Sequence, residues 1–112
     1  MKVKLLFLFL TISIVFSSCS KKPEGTPGKN EIWLEYKAFN PTQLTVAVGT
    51  TVVFTNKDNA DHTVTDYGHS FDSGRIQSGI TYSYTFNTAG TYYFYCKYHT
   101  SGALEQGAIL VH

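Results

Sequence analysis

The most constraining feature of this sequence is the alternation of residue types between positions 81 and 96. In segment 81–86, hydroxyl and aromatic side chains alternate strictly, as is typical of a half-buried antiparallel strand. After a turn at 87–90, the alternation resumes and places Tyr92, Phe94 and Cys96 on one face. If that face is the core face, Cys96 points inward at the end of its strand.

The rest of the chain also favours strands over helices. No long stretch has helical period, and short apolar or β-branched runs are separated by turn residues. Further strands are predicted at 32–36, 43–48, 51–56, 62–65 and 107–111. Because 112 residues make one domain at most, we predict a single all-β domain, a Greek-key β-sandwich of seven to eight strands.

The N-terminal segment has the layout of an export signal. Lys2 and Lys4 precede an apolar run from Leu5 to Phe16, which is too short to span a bilayer. The residues that end this run, Phe16-Ser17-Ser18-Cys19, resemble a bacterial lipobox. That resemblance implies a lipoprotein-type signal peptide at 1–18 and lipidation of Cys19.

The segment after Cys19 is rich in Pro, Gly and polar residues, which is typical of a flexible tether. We therefore divide the chain into the signal peptide at 1–18, the anchor and tether at 19–30, and the folded domain at 31–112. The expected location is the cell envelope, in the periplasm or on the outer surface, with the lipid on Cys19 holding the protein to a membrane. Ordinary secretory cleavage is the alternative.

The charge balance excludes one class of partner. Nine Lys and Arg face eight Asp and Glu, and two of the lysines lie in the signal. Binding to a nucleic-acid backbone requires clustered basic residues, so we expect no nucleic acid as a partner.

Cys96 is the one cysteine that remains for chemistry if Cys19 is lipidated. An unpaired thiol in an oxidising compartment is either buried and inert or held as a ligand. His99 follows it three residues later, and His62 begins an earlier predicted strand. A thiolate with two imidazoles suits copper, with zinc as the competing metal.

Several stretches then match one known family. They are Phe39-Asn40-Pro41 with Leu44-Thr45-Val46, Gly49, Val52-Val53-Phe54 with Asn56, Asp61-His62-Thr63-Val64, Phe71-Asp72-Ser73-Gly74, and Gly90-Thr91-Tyr92-Tyr93-Phe94-Tyr95-Cys96 with His99. From Phe39 to Val111 the chain resembles the cupredoxins, the small blue copper proteins of the plastocyanin and pseudoazurin type.

The resemblance implies a cupredoxin-like sandwich that holds one copper ion through His62, Cys96 and His99. It implies an electron carrier rather than an enzyme, cycling Cu(I)/Cu(II), monomeric, and docking redox proteins transiently near His99. It also implies that the amide of Thr63 donates a hydrogen bond to the Cys96 sulfur.

The fourth, axial position departs from the family. Cupredoxins normally have methionine there, and the one methionine of this chain is Met1. Counting from Cys96 gives Leu104, and counting back from Gly107 gives Glu105, with Gln106 as a third candidate. We predict Glu105; the alternative is that Glu105 is a solvated loop carboxylate.

Three other functions remain open on sequence grounds. The same ligands could serve an envelope copper carrier or storage protein, or a red-copper-like site with a Glu ligand. A metal-free sandwich with a merely buried Cys96 is the third. A multicopper oxidase is excluded, because the four histidines include no His-x-His pair.

Overall fold

The computed structural model describes residues 24–101 and 105–112, and within them the protein is all-β. The predicted signal peptide, Cys19 and Leu104 lie outside the described residues. Eight strands follow one another along the described chain: β1 (Glu31–Glu35), β2 (Ala38–Asn40), β3 (Gln43–Val46), β4 (Thr50–Asn56), β5 (Thr65–Asp66), β6 (Thr81–Phe86), β7 (Gly90–Tyr95) and β8 (Gln106–Val111). The predicted fold class is confirmed.

The strands form two four-stranded sheets with the orders β2-β1-β4-β6 and β3-β8-β7-β5. Most neighbours are antiparallel, but β1 pairs parallel with β4, and β3 pairs parallel with β8. Parallel neighbours need a crossover connection, and here the chain between each parallel pair passes through the other sheet.

The two sheets enclose one core. The first sheet contributes Leu34, Phe54 and Phe86, and the second contributes Phe94 and Ile109, all buried. The ring of Phe94 meets Phe54 edge-on, with 5.6 Å between centroids. As the alternation predicted, Phe94 of β7 and Cys96, which directly follows β7, are both buried in the core, so the core directly supports the position of the thiol.

The predicted strands differ from the structure by one or two residues at several ends, and more strongly in two places. The short strand β2 was not predicted, because Lys37 turns the chain through a positive φ of 54° only one residue after the predicted end of β1. The predicted strand 62–65 is shorter, since only Thr65 of it belongs to β5, while His62 forms an isolated bridge with Ile76.

The last strand approaches its neighbours unusually closely at Gly107. A Cβ on this residue would lie 2.6 Å from Cζ of Phe94 and 2.8 Å from the carbonyl oxygen of Thr42. Only glycine therefore lets β8 pair with β7 at this register. The position matters for function because Glu105 lies two residues before it.

The described part of the predicted tether lies against the sandwich. A Cβ on Gly25 would be 3.5 Å from the ring of Trp33, and the amide of Glu31 donates to the carbonyl of Gly28. No helix within 24–101 and 105–112 is long and apolar enough to cross a membrane.

Candidate metal centre

The candidate site lies where two separate segments meet at one end of the sandwich. His62 follows the loop 57–61, and its backbone exchanges two hydrogen bonds with Ile76. Cys96 follows β7 directly, and its amide donates to the carbonyl of Glu105. The amide of His99 donates to the carbonyl of Cys96, which folds the turn back over the thiol.

These segments bring four predicted ligand residues together. One donor atom from each of His62, Cys96, His99 and Glu105 can be chosen so that all lie within 4.8 Å of one another. The Cys96 Sγ lies 3.9 Å from Nδ1 of His62 and 3.3 Å from Nδ1 of His99. Both imidazoles therefore direct the same ring nitrogen towards the sulfur.

Glu105 completes the cluster from the start of β8. Its side chain is fully buried, with Oε1 2.8 Å from Nδ1 of His62 and Oε2 2.8 Å from Nδ1 of His99. Neither contact has hydrogen-bond geometry, so both oxygens lack a hydrogen-bond partner among the described residues. A buried carboxylate without such a partner is costly unless a cation compensates it.

The other candidates for the fourth ligand are placed differently. Gln106 is exposed and pairs with Tyr95 in the β7–β8 ladder, on the opposite face from Glu105. Leu104 lies outside the described residues. The alternative of a solvated loop carboxylate does not fit Glu105, which is 1% exposed.

The cluster perturbs the protonation of its own members. Burial alone would raise the pKa of the Cys96 thiol, but hydrogen bonds from His62 and the Thr63 amide lower that pKa from 9.0 to about 7. Burial alone would lower the pKa of His62, but Cys96, Glu105 and Asp58 raise it from 6.5 to about 10. Without a metal, a proton on His62 compensates the surrounding anionic groups.

Thr63 joins the two ligand segments. Its amide donates to the Cys96 Sγ over 3.3 Å, as the family resemblance implied. Its hydroxyl accepts a hydrogen bond of 2.9 Å from the amide of Lys97. The segment that carries His62 and the segment that carries Cys96 are thus tied on both sides of the thiol.

Sequence reasoning missed one residue at the site, Asp58. Its Oδ2 lies 2.8 Å from Nε2 of His62, the ring nitrogen that faces away from the cluster. The spacing of four residues between an acid and a histidine was the available signal. It is weak, because such spacings are frequent in loops without any contact.

The donor set fits one copper ion. The thiolate is a soft ligand, the two imidazole nitrogens are borderline, and the carboxylate oxygen is harder. Copper accepts this combination. The buried carboxylate oxygens, which find no hydrogen-bond partner in residues 24–101 and 105–112, are the structural sign that a cation belongs among them. Zinc would also accept these four donors.

Comparison with known proteins agrees with the observed fold. The family model described as a cupredoxin-like domain matches residues 6–111. Chloroplastic plastocyanin of Physcomitrium patens is 32% identical over 89 residues, which cover 65% of this chain and 49% of that relative. The match thus spans about half the length of the relative.

Solved structures share the fold. A novel purple cupredoxin from Nitrosopumilus maritimus superposes with a TM-score of 0.66 at 24% identity, covering 73% of this chain and 98% of that one. The Cu(I) form of an amicyanin mutant superposes with a TM-score of 0.67 at 26% identity, covering 80% and 87%. With the family model matching nearly its whole length, this chain belongs to the cupredoxin-like family.

Proposed function

We propose that this protein is a mononuclear copper electron carrier of the bacterial cell envelope, with His62, Cys96, His99 and Glu105 as the ligands. The observation that carries the proposal is the convergence of these four donors, one of them a buried carboxylate whose oxygens have no hydrogen-bond partner within the described part of the chain. The similarity to plastocyanin and to the Cu(I) form of amicyanin supports copper as the metal.

The chain's own residues would hold the site in nearly the same geometry in both oxidation states. The Thr63 amide holds the sulfur, the paired backbones of His62 and Ile76 hold one imidazole, and β8 holds Glu105. A bound copper ion supplies the one-electron couple. Because the ligands are held by the sandwich, little rearrangement would accompany each electron.

His99 offers the route by which electrons enter and leave. Its side chain is 24% exposed, whereas the side chains of His62 and Glu105 are fully buried. Tyr98 beside it is 51% exposed and adds apolar surface. We propose that redox proteins dock there transiently, over the small contact area that electron carriers use.

The proposed location rests on the N-terminal sequence. Export by residues 1–18 and lipidation of Cys19 would place the domain on a membrane surface behind a short tether. Metabolic labelling of the expressed protein with a tritiated fatty acid tests this, with Cys19→Ala as the variant. Label that persists in Cys19→Ala would refute the anchor.

The test of the copper site is an optical and electron spin resonance spectrum of the purified protein after addition of Cu(II). We expect an intense visible band from thiolate-to-copper charge transfer, which Cys96→Ser abolishes. Protein that stays colourless while Cys96 reacts with an alkylating agent would refute the proposal.

The position of Glu105 also favours a second candidate, a red-copper-like site with small-molecule reactivity. A bound carboxylate oxygen would make the site less like the family's usual thioether site and shift the colour. The same spectra discriminate the two, because a blue site has its main band near the red end of the visible range. Glu105→Gln should move a carboxylate-bound site towards that spectrum.

A further inference from the structure

We propose that Asp58 is a positioning residue for the metal: it holds the proton of His62 on Nε2, so that Nδ1 presents its lone pair to the ion, and it adds a negative charge that favours Cu(II). This inference rests on the proposed copper function. It concerns a carboxylate that lies outside the ligand cluster and that the ligand set does not require.

The contact itself is well defined. Oδ2 of Asp58 lies 2.8 Å from Nε2 of His62, while the other nitrogen of the same ring faces Cys96 and Glu105. A neutral imidazole has one donor and one acceptor nitrogen. A carboxylate can only accept from Nε2, so when a metal displaces the second proton of His62, the lone pair is on Nδ1, the side where the ligands converge.

The environment keeps this contact largely out of water. The side chain of His62 is fully buried, and that of Asp58 is 11% exposed. A charged hydrogen bond in such surroundings is screened far less than one at the surface. The charge of Asp58 therefore acts on the ion through the imidazole instead of being dissipated in solvent.

The loop that carries Asp58 is fixed from the core. The buried side chain of Asn56 accepts a hydrogen bond of 2.9 Å from the amide of Asp58 and donates to the carbonyls of Ala60 and Ile76. Ile76 is also the backbone partner of His62. The buried side-chain amide of Asn56 thus fixes the position of Asp58 directly and that of His62 through Ile76.

The two histidines consequently have different surroundings. His62 is held on its outer nitrogen by an anion, and His99 is partly open to solvent. The contact of His62 with Asp58 therefore influences the metal affinity and the preferred oxidation state of copper, whereas His99 is the proposed route for electrons. Removal of such an outer carboxylate typically lowers metal affinity about 10–100-fold.

Asp61 provides a matched control. It is an acid of the same loop, one residue before His62, but its side chain is 43% exposed and lies 3.9 Å from Arg75. Asp61→Asn removes the same charge from the same loop without touching the imidazole. A general electrostatic effect would change the copper affinities of both variants, whereas a charge that acts through the contact with His62 would change only those of Asp58→Asn. Because the asparagine oxygen can still accept from Nε2, loss of the contact itself is tested by Asp58→Ala.

The first experiment needs no variant. In ¹⁵N-histidine-labelled protein loaded with Zn(II), which is diamagnetic, the His62 signals should show the proton on Nε2 and none on Nδ1. A proton on Nδ1 of His62, or metal bound through Nε2, would overturn the inference whatever the variants do.

The second experiment measures affinities for Cu(II) and Cu(I) by competition with chelators. We expect the ratio of the Cu(II) to the Cu(I) association constant to fall about tenfold in Asp58→Asn, which for a one-electron couple is a rise in potential of about 59 mV. In Asp61→Asn the ratio should stay within about twofold, and in Asp58→Ala the Cu(II) affinity should fall about 10–100-fold.

The outcomes separate this inference from the proposed function. If the wild-type protein binds neither ion, the proposed function fails and the role of Asp58 fails with it. If the wild-type protein binds copper with its characteristic colour, but Asp58→Asn matches Asp61→Asn, the inference alone is refuted.

Discussion

Replacement of Glu105 by glutamine tests the most unusual feature of the site, a buried carboxylate that we propose as the ligand in place of the family's usual methionine. Glutamine has almost the same size, so the packing before β8 is retained and the negative charge is removed. The side chain is fully buried, and each of its oxygens lies 2.8 Å from a histidine nitrogen.

The size of the effect follows from these distances. The ligand atoms lie within 4.8 Å of one another, so an ion held among them is no farther than that from the carboxylate oxygen. At an effective dielectric constant of about 20, one unit charge at this distance contributes about 3.5 kcal/mol more to Cu(II) than to Cu(I). Since about 1.36 kcal/mol and about 59 mV both correspond to a factor of ten, the reduction potential should rise by about 150 mV.

The assay is a redox titration of the copper-loaded protein followed by its visible band. Gln106→Ala is the matched control, because this neighbouring side chain is exposed and should leave potential and colour unchanged. An increase of less than about 30 mV in Glu105→Gln, or an equal change in Gln106→Ala, would refute the assignment of Glu105 as a ligand.

Three further predictions follow from the same structure. Gly107→Ala should lower the free energy of unfolding by about 1–3 kcal/mol, because its Cβ would meet Phe94 and the hydrogen-bonded carbonyl of Thr42; a calorimetric melting temperature within about 1 °C of wild type would contradict this. Copper affinity should fall as the pH is lowered. Between the pKa of His62 at about 10 and that of Cys96 at about 7, the fall should reach about tenfold per pH unit because His62 must lose a proton, and below about 7 it should be steeper because the Cys96 thiol is protonated as well. Chelator competition at several pH values measures this slope, and a flat profile would count against both assignments. Cys96→Ser should abolish the visible band while the far-ultraviolet circular dichroism stays that of a β-sandwich, and loss of both would mean that Cys96 is chiefly a packing residue.

Exchange of copper with a partner protein requires its own measurement. A carrier that delivers copper should release Cu(I) rapidly to a competing chelator, whereas an electron carrier should retain it through many redox cycles. Glu105 and Cys96 are both buried, so we expect slow release. Loss of Cu(I) within the mixing time would favour the delivery function.

Much of the fold was accessible from sequence, because strand alternation is a local property. The period of two between 81 and 96 predicted β6 and β7 and the inward direction of Cys96, and the structure agrees. The strand predicted at 62–65 was less accurate, because the amide of Val64 bonds to the hydroxyl of Ser73 rather than to a neighbouring strand. Side-chain hydrogen bonds of this kind have no periodic signature.

The sequence by itself determined most of the strands, the cysteine and two histidines expected as ligands, and the absence of a methionine for the fourth position. Those conclusions depend on residue identity and on short spacings, such as the three residues between Cys96 and His99. Only the tertiary structure showed that the side chain of Glu105 lies in the cluster and that Gln106 is exposed. Adjacent residues of a strand face opposite sides, and which side is inward depends on the register of β8 against β7.

The tertiary structure also revealed Asp58. Its contact with His62 depends on a loop whose shape is set by the buried amide of Asn56, which bonds to the carbonyl of Ile76, twenty residues away. Contacts between distant segments form only when the whole chain has folded, because packing and hydrogen bonds throughout the protein determine how those segments lie relative to each other. The kinds of ligand are therefore readable along the chain, and their arrangement exists only in three dimensions.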